Sequence, residues 1–247
     1  MPDVVKIAFD VVTLLGPRSI AIDVEDVPTR LAELVPIAQL VTDVMLDAAI
    51  AHERDQGREL SCAAGCGACC RQYVAISIPE ALYVAEALAQ LPADQQSLYA
   101  GRMAAIADRL GKEERVDRVL DPTVAPDTIR TLPREYFQLG LPCPFLTDES
   151  CSIYLHRPTP CRDHNLTSPP ELCRDPYANE LRKVPSPLPL TAVLARLTAR
   201  LVEAPSTLVP LSQVTRAAET HREIDQRTWP GVALVKELLT ELARAAS

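Results

Sequence analysis

Four of the eight cysteines in this chain stand within nine positions, in the stretch SCAAGCGACC at residues 61–70, and the other four follow before residue 174. No other feature constrains the fold as strongly. Cysteines kept only as small core residues would be dispersed along 247 residues. Thiols gathered into one window point instead to a disulfide staple, a reactive nucleophile or a metal site. Each of these leaves a different mark on the rest of the sequence.

Composition weighs against the staple. The chain is 47% hydrophobic and carries a formal charge of −8, enough apolar material for one large or two small cores. Its basic residues are scattered, which argues against a nucleic-acid footprint, since that needs a clustered positive face. The opening MPDVVKIAFDVVTLLG lacks a basic start and is interrupted by Lys6 and Asp10, so it reads as neither signal peptide nor membrane anchor. No other apolar run reads as long enough to span a bilayer. The expectation is a soluble, cytoplasmic protein with no membrane or nucleic-acid partner. Thiols stay reduced there, and a disulfide framework is the least expected outcome.

Three regions differ in texture. Residues 1–60 open with VVKIAFDVVTLL and SIAIDV on either side of GPRS, β-branched runs around a Gly-Pro turn that predict a hairpin. From Pro28 to about Gln56, Leu31, Leu34, Val35, Ile37, Leu40, Val41, Val44, Met45 and Ala48 recur at three and four, the pattern of a helix with one buried stripe. Pro36 should kink or split it. Residues 61–180 hold every cysteine in two turn-rich arms, with a helical stretch between them. IPEALYVAEALAQL is one helix, starting near Ile78; DQQSLYAGRMAAIADRLG is another, with Leu98, Met103, Ile106 and Leu110 inward and Gly111 at its end. Residues 181–247 hold the linker VPSPLPL and helices in TAVLARLTARLVE, SQVTRAAETHREID and GVALVKELLTELARAA, the last with Val235, Leu238, Leu239 and Leu242 on one side. The predicted fold is mainly α: an irregular cysteine-rich metal-binding core packed with helices, and a small N-terminal β-hairpin.

A metal best explains Cys62, Cys66, Cys69, Cys70, Cys143, Cys151, Cys161 and Cys173, because thiolates share one space only when a cation offsets their repulsion. Gly65 and Gly67 flank Cys66, where positive φ would aim N–H groups at sulfur. Pro142 and Pro144 flank Cys143, and Pro158 and Pro160 lead into Cys161, so stiff turns would hold these residues. In RPTPCRD, Thr159 is the expected N-cap with Pro160 at the first helical position, putting free N–H groups near the sulfur of Cys161. A four-thiolate site leaves net negative charge, which Arg157 and Arg162 are placed to offset. Cys69 and Cys70 are adjacent, so their side chains diverge and do not both bind one ion. Two four-ligand sites, one site with spare thiols, or a site completed by His156 or His164 all remain open.

Cys62, Cys66 and Cys69 also have the C-x3-C-x2-C spacing of radical enzymes that split S-adenosylmethionine. Those enzymes carry the triplet after the first strand of a β/α barrel, and here the preceding segment is helical with no strand–helix repeat following. A fuller match uses both arms: SCAAGCGACC, then LPCPFL, then CSIYLHRPTPCRDH resembles the YkgJ-type cysteine cluster family, the CxxCxxCC zinc- or iron-chelating domains. The resemblance covers about residues 60–175. It implies that Cys66, Cys69, Cys70, Cys143, Cys151 and Cys161 bind metal. Cys62 sits one residue further from Cys66 than the family name implies, and Cys173 enters only by proximity. A branch of the family associated with flagellin lysine methylation implies a protein partner or protein substrate.

Two functions follow from different classes. In one, the cysteines hold an iron–sulfur cluster, a 4Fe-4S cluster first, with a redox or enzymatic role. In the other, they hold zinc and make a scaffold or interaction module. No hydrolase nucleophile elbow, phosphate-binding loop or dinucleotide glycine pattern marks an enzyme. All-thiolate donors accept either metal, and the crowding of sulfur in CGACC tips the reading toward iron–sulfur.

Overall fold

The computed structural model describes residues 3–112 and 126–246. Strands β1 (Val4–Val11) and β2 (Arg18–Glu25) form the expected antiparallel hairpin, in register from Val4 opposite Glu25 to Val11 opposite Arg18. Ile7 and Val11 supply its buried face. A two-residue strand β3 (Pro28–Thr29) and a 3-10 turn at Leu31–Leu34 lead into α1 (Val35–Asp55). Pro36 falls in the first turn of α1, where its missing N–H has no intrahelical partner to lose. It therefore starts the helix instead of kinking it.

Leu31, Leu34, Val35, Val41, Met45 and Ala48 are buried as the stripe requires, while Leu40 faces solvent. Leu31–Asp55 has a mean hydropathy of 1.6 and is, by length and composition alone, long and apolar enough to cross a membrane. That corrects the expectation that the chain holds no such run. Here half of the window is buried, packed into the first of the two main hydrophobic cores.

Strand β4 (Ala75–Ser77) runs into α2 (Ile78–Ala89), whose N-cap is Ser77. Ser77 and Glu80 form a reciprocal capping box, the S-x-x-E signature that SIPE carries in the sequence. In α3 (Ala93–Lys112), Met103, Ile106 and Leu110 point inward as expected. Leu98 does not: it is 47% exposed and Tyr99 is buried in its place, since one residue turns the helix face by about 100°. Gly111 is the penultimate residue of the described range of α3. The helical expectation for residues 113–125 falls outside the described residues. α4 (Pro126–Gln138) follows, then β5 (Leu146–Thr147) and β6 (Ser150–Cys151) in a short hairpin, and α5 (Thr159–Asp163).

The C-terminal part contains α6 (Leu190–Val202), β7 (Leu208–Pro210), α7 (Val214–Thr220), α8 (Arg222–Asp225), β8 (Trp229–Pro230) and α9 (Gly231–Ala246). SQVTRAAETHREID thus forms two short helices broken at His221, not one. Val235 and Leu238 of α9 are buried, while Leu239 and Leu242 are partly buried.

The first core joins both ends of the chain: Ile7 and Val11 of the hairpin and the α1 stripe meet Val193, Leu194 and Leu197 of α6 and Leu234, Val235 and Leu238 of α9. The second core lies under the cysteines. It gathers Ile76, Ala81, Val84, Tyr99, Met103, Phe145, Ile153, Val209, Leu211 and Val214, and Cys143, Cys151 and Cys161 pack against it. β4 pairs with β7, Ile76 opposite Val209, so the C-terminal part closes both cores.

Candidate metal centre

The first arm is pinned at its start, where the backbone N–H and hydroxyl of Ser61 both donate to the carbonyl of Leu166, at 2.9 and 2.8 Å. This brings Cys62 beside the end of the second arm. Gly65 takes φ +84°, as expected, but Gly67 has φ −91°. Gly67 is required for space instead. A Cβ there would lie 2.6 Å from Oε2 of Glu149 and 2.7 Å from Cδ1 of Leu146. Both neighbours belong to the β5–β6 hairpin, whose Asp148 and Glu149 take positive φ. Arg71 closes the junction by donating to the Gly67 carbonyl at 2.8 Å and to both carboxylate oxygens of Glu149 at 3.0 and 2.6 Å. Gly67→Ala is therefore expected to push this hairpin off the CGACC loop and cost about 1–3 kcal/mol by overpacking. Urea denaturation of the two proteins side by side checks it, and an unchanged midpoint contradicts it.

Cys69 and Cys70 occupy one 3-10 turn, Ala68–Arg71. From the second arm, the N–H of Cys143 donates to the Cys70 carbonyl at 2.6 Å, and Leu146 pairs with Cys151 across the hairpin. Arg102 of α3 clamps the loop after Cys143 by donating to the carbonyls of Pro144 and Leu146 at 2.9 and 3.0 Å. Cys161 lies in the first turn of α5, as expected, but the cap differs. The N-cap is Pro158, and Thr159 is the first helical residue. The N–H and hydroxyl of Thr159 both donate to Oε1 of the buried Glu80 at 2.8 Å, and the N–H of Cys161 donates to the Pro158 carbonyl. The N–H groups expected to face the Cys161 sulfur are thus already engaged.

The thiols affect one another electrostatically. Cys161 lies within reach of Cys143, Cys69 and Cys151, while Cys173 faces Cys62, Cys66 and Cys69. Loss of hydration is the first cause of the raised pKa at Cys62, Cys143, Cys151, Cys161 and Cys173, and it pushes Cys143 up to about 12 and Cys161 well above the ordinary thiol value. Cys69 is the exception: the Cys70 thiol donates to it and lowers it to about 7, and the same bond raises Cys70. Neutral buried thiols must lose protons to bind a cation, so metal binding here releases protons and weakens as pH falls.

The two arginines separate. Arg157 stands 4.0 Å over the Tyr154 ring and lies within electrostatic reach of Cys62, Cys69, Cys151 and Cys161, lowering each thiol pKa. Its Nε is buried without a hydrogen-bond partner among the described residues. Arg162 is instead held by Asp43 at 3.0 Å and by the carbonyls of Arg157 and Leu155, a structural tie between α5 and α1. His156 contacts the Tyr83 hydroxyl through Nδ1 at 3.0 Å. His164 is half-buried, its Nε2 enclosed without a partner among the described residues, and the loss of hydration lowers its pKa to about 4. Three supporting residues escaped the sequence reading. Glu80 had a signal in SIPE, but nothing local marks Arg102 or Arg71, because their partners lie far along the chain.

The donor set is all thiol, which suits a thiophilic ion, and the nearby Arg157 has an Nε without a partner among the described residues. Among the described residues no three Cys, His, Asp or Glu side chains already form a finished metal-holding group, so loading has to draw the thiols inward. No curated protein and no solved structure matches the chain. Residues 61–182, which include all eight cysteines, match the family model described as "CxxCxxCC: Putative zinc- or iron-chelating domain". That segment, residues 61–182, which joins the two arms just described, is a CxxCxxCC domain of the zinc- or iron-chelating type.

Proposed function

We propose that this is a redox protein of a reducing compartment whose cysteines hold an iron–sulfur cluster, a 4Fe-4S cluster first, and which exchanges electrons with a protein partner. The observation that carries this reading is the turn Ala68–Arg71, where Cys69 and Cys70 are adjacent and Cys69 is within electrostatic reach of thiols from both arms. One tetrahedral ion normally leaves one of two adjacent cysteines unused, while a larger cluster or a second metal engages both. Bound iron and sulfide would supply a one-electron couple. Arg157 would offset the net negative charge of the site, and the apolar core behind Cys143, Cys151 and Cys161 would limit water access.

The packing of those three cysteines against the core also favours a second reading, a zinc module whose metal fixes the fold and does no chemistry. An anaerobic absorption spectrum with metal analysis separates the two. The iron–sulfur protein is expected to be brown, to bleach with dithionite and to lose its cluster in air. A colourless protein containing only zinc, prepared and reconstituted without oxygen, overturns the redox reading. Stable disulfides without any metal overturn both.

A further inference from the structure

Among the described residues β1 pairs only with β2, in a two-stranded sheet. An antiparallel strand turns half of its N–H and C=O groups toward each side, so the outer edge of β1 carries a row of backbone groups with no strand to receive them. No backbone hydrogen bond from another element reaches Val4–Val11 among the described residues. The side chains along that edge are uncovered as well. Val4 is 59% exposed, Val5 39% and Val12 59%, and Lys6, Ala8 and Asp10 face solvent on the outer side of the hairpin. An open edge eight residues long is a template for another strand unless charge or a covering element blunts it.

We propose that the chain forms a two-fold dimer by antiparallel pairing of β1 with β1 of a second copy, in the register that sets Ala8 opposite Ala8, so that two hairpins become one four-stranded sheet. This surface lies apart from the cysteines, and the inference does not depend on what they bind.

The strand is self-complementary about Ala8. With the two-fold axis there, Lys6 of each copy meets Asp10 of the other, and Val4 meets Val12 on the same outer face. On the core-facing side Val5 meets Val11 and Ile7 meets Phe9. Moving the axis to Ile7 or to Phe9 leaves both Lys6 and Asp10 opposite apolar residues, so charge selects one register. A lysine on an open edge ordinarily repels a second copy; Asp10, four positions on, turns that repulsion into two attractions. Oδ1 of Asp10 accepts from the Ser19 hydroxyl at 2.5 Å, which holds the carboxylate on the outer face and leaves Oδ2 for the incoming lysine.

Strand β2 offers no equivalent edge. The Gly231 N–H donates to the Val27 carbonyl at 2.9 Å, and the Glu25 carbonyl sits where a Cβ on Gly231 would fall, so the start of α9 closes the end of β2. Its charges also fail to match. A two-fold antiparallel register pairs residues of one face, an even number of positions apart, and Arg18 lies an odd number from both Asp23 and Glu25.

Sedimentation of the full chain, isolated anaerobically, should show a reversible equilibrium that reaches twice the 27.0 kDa chain mass at about 100 µM. Lys6→Glu and Asp10→Lys each set like charges together at both contacts, and each should raise the dissociation constant about tenfold or more. Mixing the two variants should restore a dimer, because opposite charges then meet at both contacts. The double variant Lys6→Glu/Asp10→Lys should recover as well, although it keeps the new like-charge pair with Asp23, which stands opposite Lys6 within the hairpin. Loss and recovery therefore report the contact between copies and not the stability of the hairpin. Amide hydrogen exchange needs no variant: peptides covering residues 4–12 should exchange more slowly at high than at low concentration of the unmutated chain. A chain that is monomeric at every concentration, whether β1 stays bare or takes a strand from another protein, overturns the proposal. So does a dimer that neither charge variant weakens.

Discussion

Cys161→Ser is expected to abolish metal retention at the core-side thiols and to unfold the region around residues 143–166. Binding free energy in such sites is largely folding free energy, on the order of 10 kcal/mol for a structural zinc, which is comparable to the whole stability of an ordinary domain. Cys161 is placed to carry that share. It packs against the second core, its α5 is tied to α1 through Arg162 and Asp43, and the same helix is tied to α2 through Thr159 and Glu80. A serine hydroxyl neither replaces a thiolate toward a thiophilic ion nor fits an apolar wall. Metal content by mass spectrometry and thermal unfolding by circular dichroism measure the two effects together. A fully loaded, equally stable Cys161→Ser protein would exclude this residue as a ligand. Cys173→Ser should be milder, because Cys173, though buried, lies outside the second core.

Glu80→Gln is expected to cost about 3 kcal/mol although the side chain keeps its size. Oε2 of Glu80 accepts from the N–H and hydroxyl of Ser77 at 2.9 and 2.7 Å and from the hydroxyl of Thr191 at 2.5 Å. Oε1 accepts from the N–H and hydroxyl of Thr159, both at 2.8 Å. A carboxylate meets five donors because it has only acceptors to offer. The amide of glutamine must turn its NH2 toward one of the two groups, and while hydroxyls can rotate to accept, a backbone N–H cannot. Turned toward Thr159, the NH2 leaves that buried N–H unpaired; turned toward Ser77, it leaves the Ser77 N–H only the Thr191 hydroxyl, 3.0 Å away. Since Thr159 is two residues from Cys161, the substitution should also weaken metal retention. Urea denaturation of the loaded protein and EDTA release rates test both effects, and unchanged values in both would show that the Glu80 network is dispensable.

Much of the local structure was legible because its cause is local. The hairpin follows from β-branched runs around GPRS, and the α1 stripe from apolar residues at three and four. The metal-binding character follows from thiols concentrated between Cys62 and Cys173. Where the sequence reading slipped, a longer-range contact had decided the matter. Pro36 can either kink a helix or begin one, and the 3-10 turn before it chose the second. Thr159 has the right chemistry for an N-cap, but its hydroxyl and N–H were taken by a carboxylate 79 positions away. Gly67 suggests positive φ, yet the reason for it is Glu149, which a hairpin from the other arm brings within contact distance of a Cβ.

The sequence by itself determined that the chain is mainly helical and that its cysteines are a set, because periodicity and spacing act over a few residues. Only the tertiary structure decided which of two equally placed arginines faces the thiols. Arg157 and Arg162 are equivalent in RPTPCRD, but Asp43 of α1 holds Arg162, while the Nε of Arg157 has no hydrogen-bond partner among the described residues. It also decided that both ends of the chain share a core and that β7 and α7 close the core beneath the cysteines. Those outcomes depend on which buried surfaces meet, and the free energy of burial is proportional to area without recording where along the chain the partner lies.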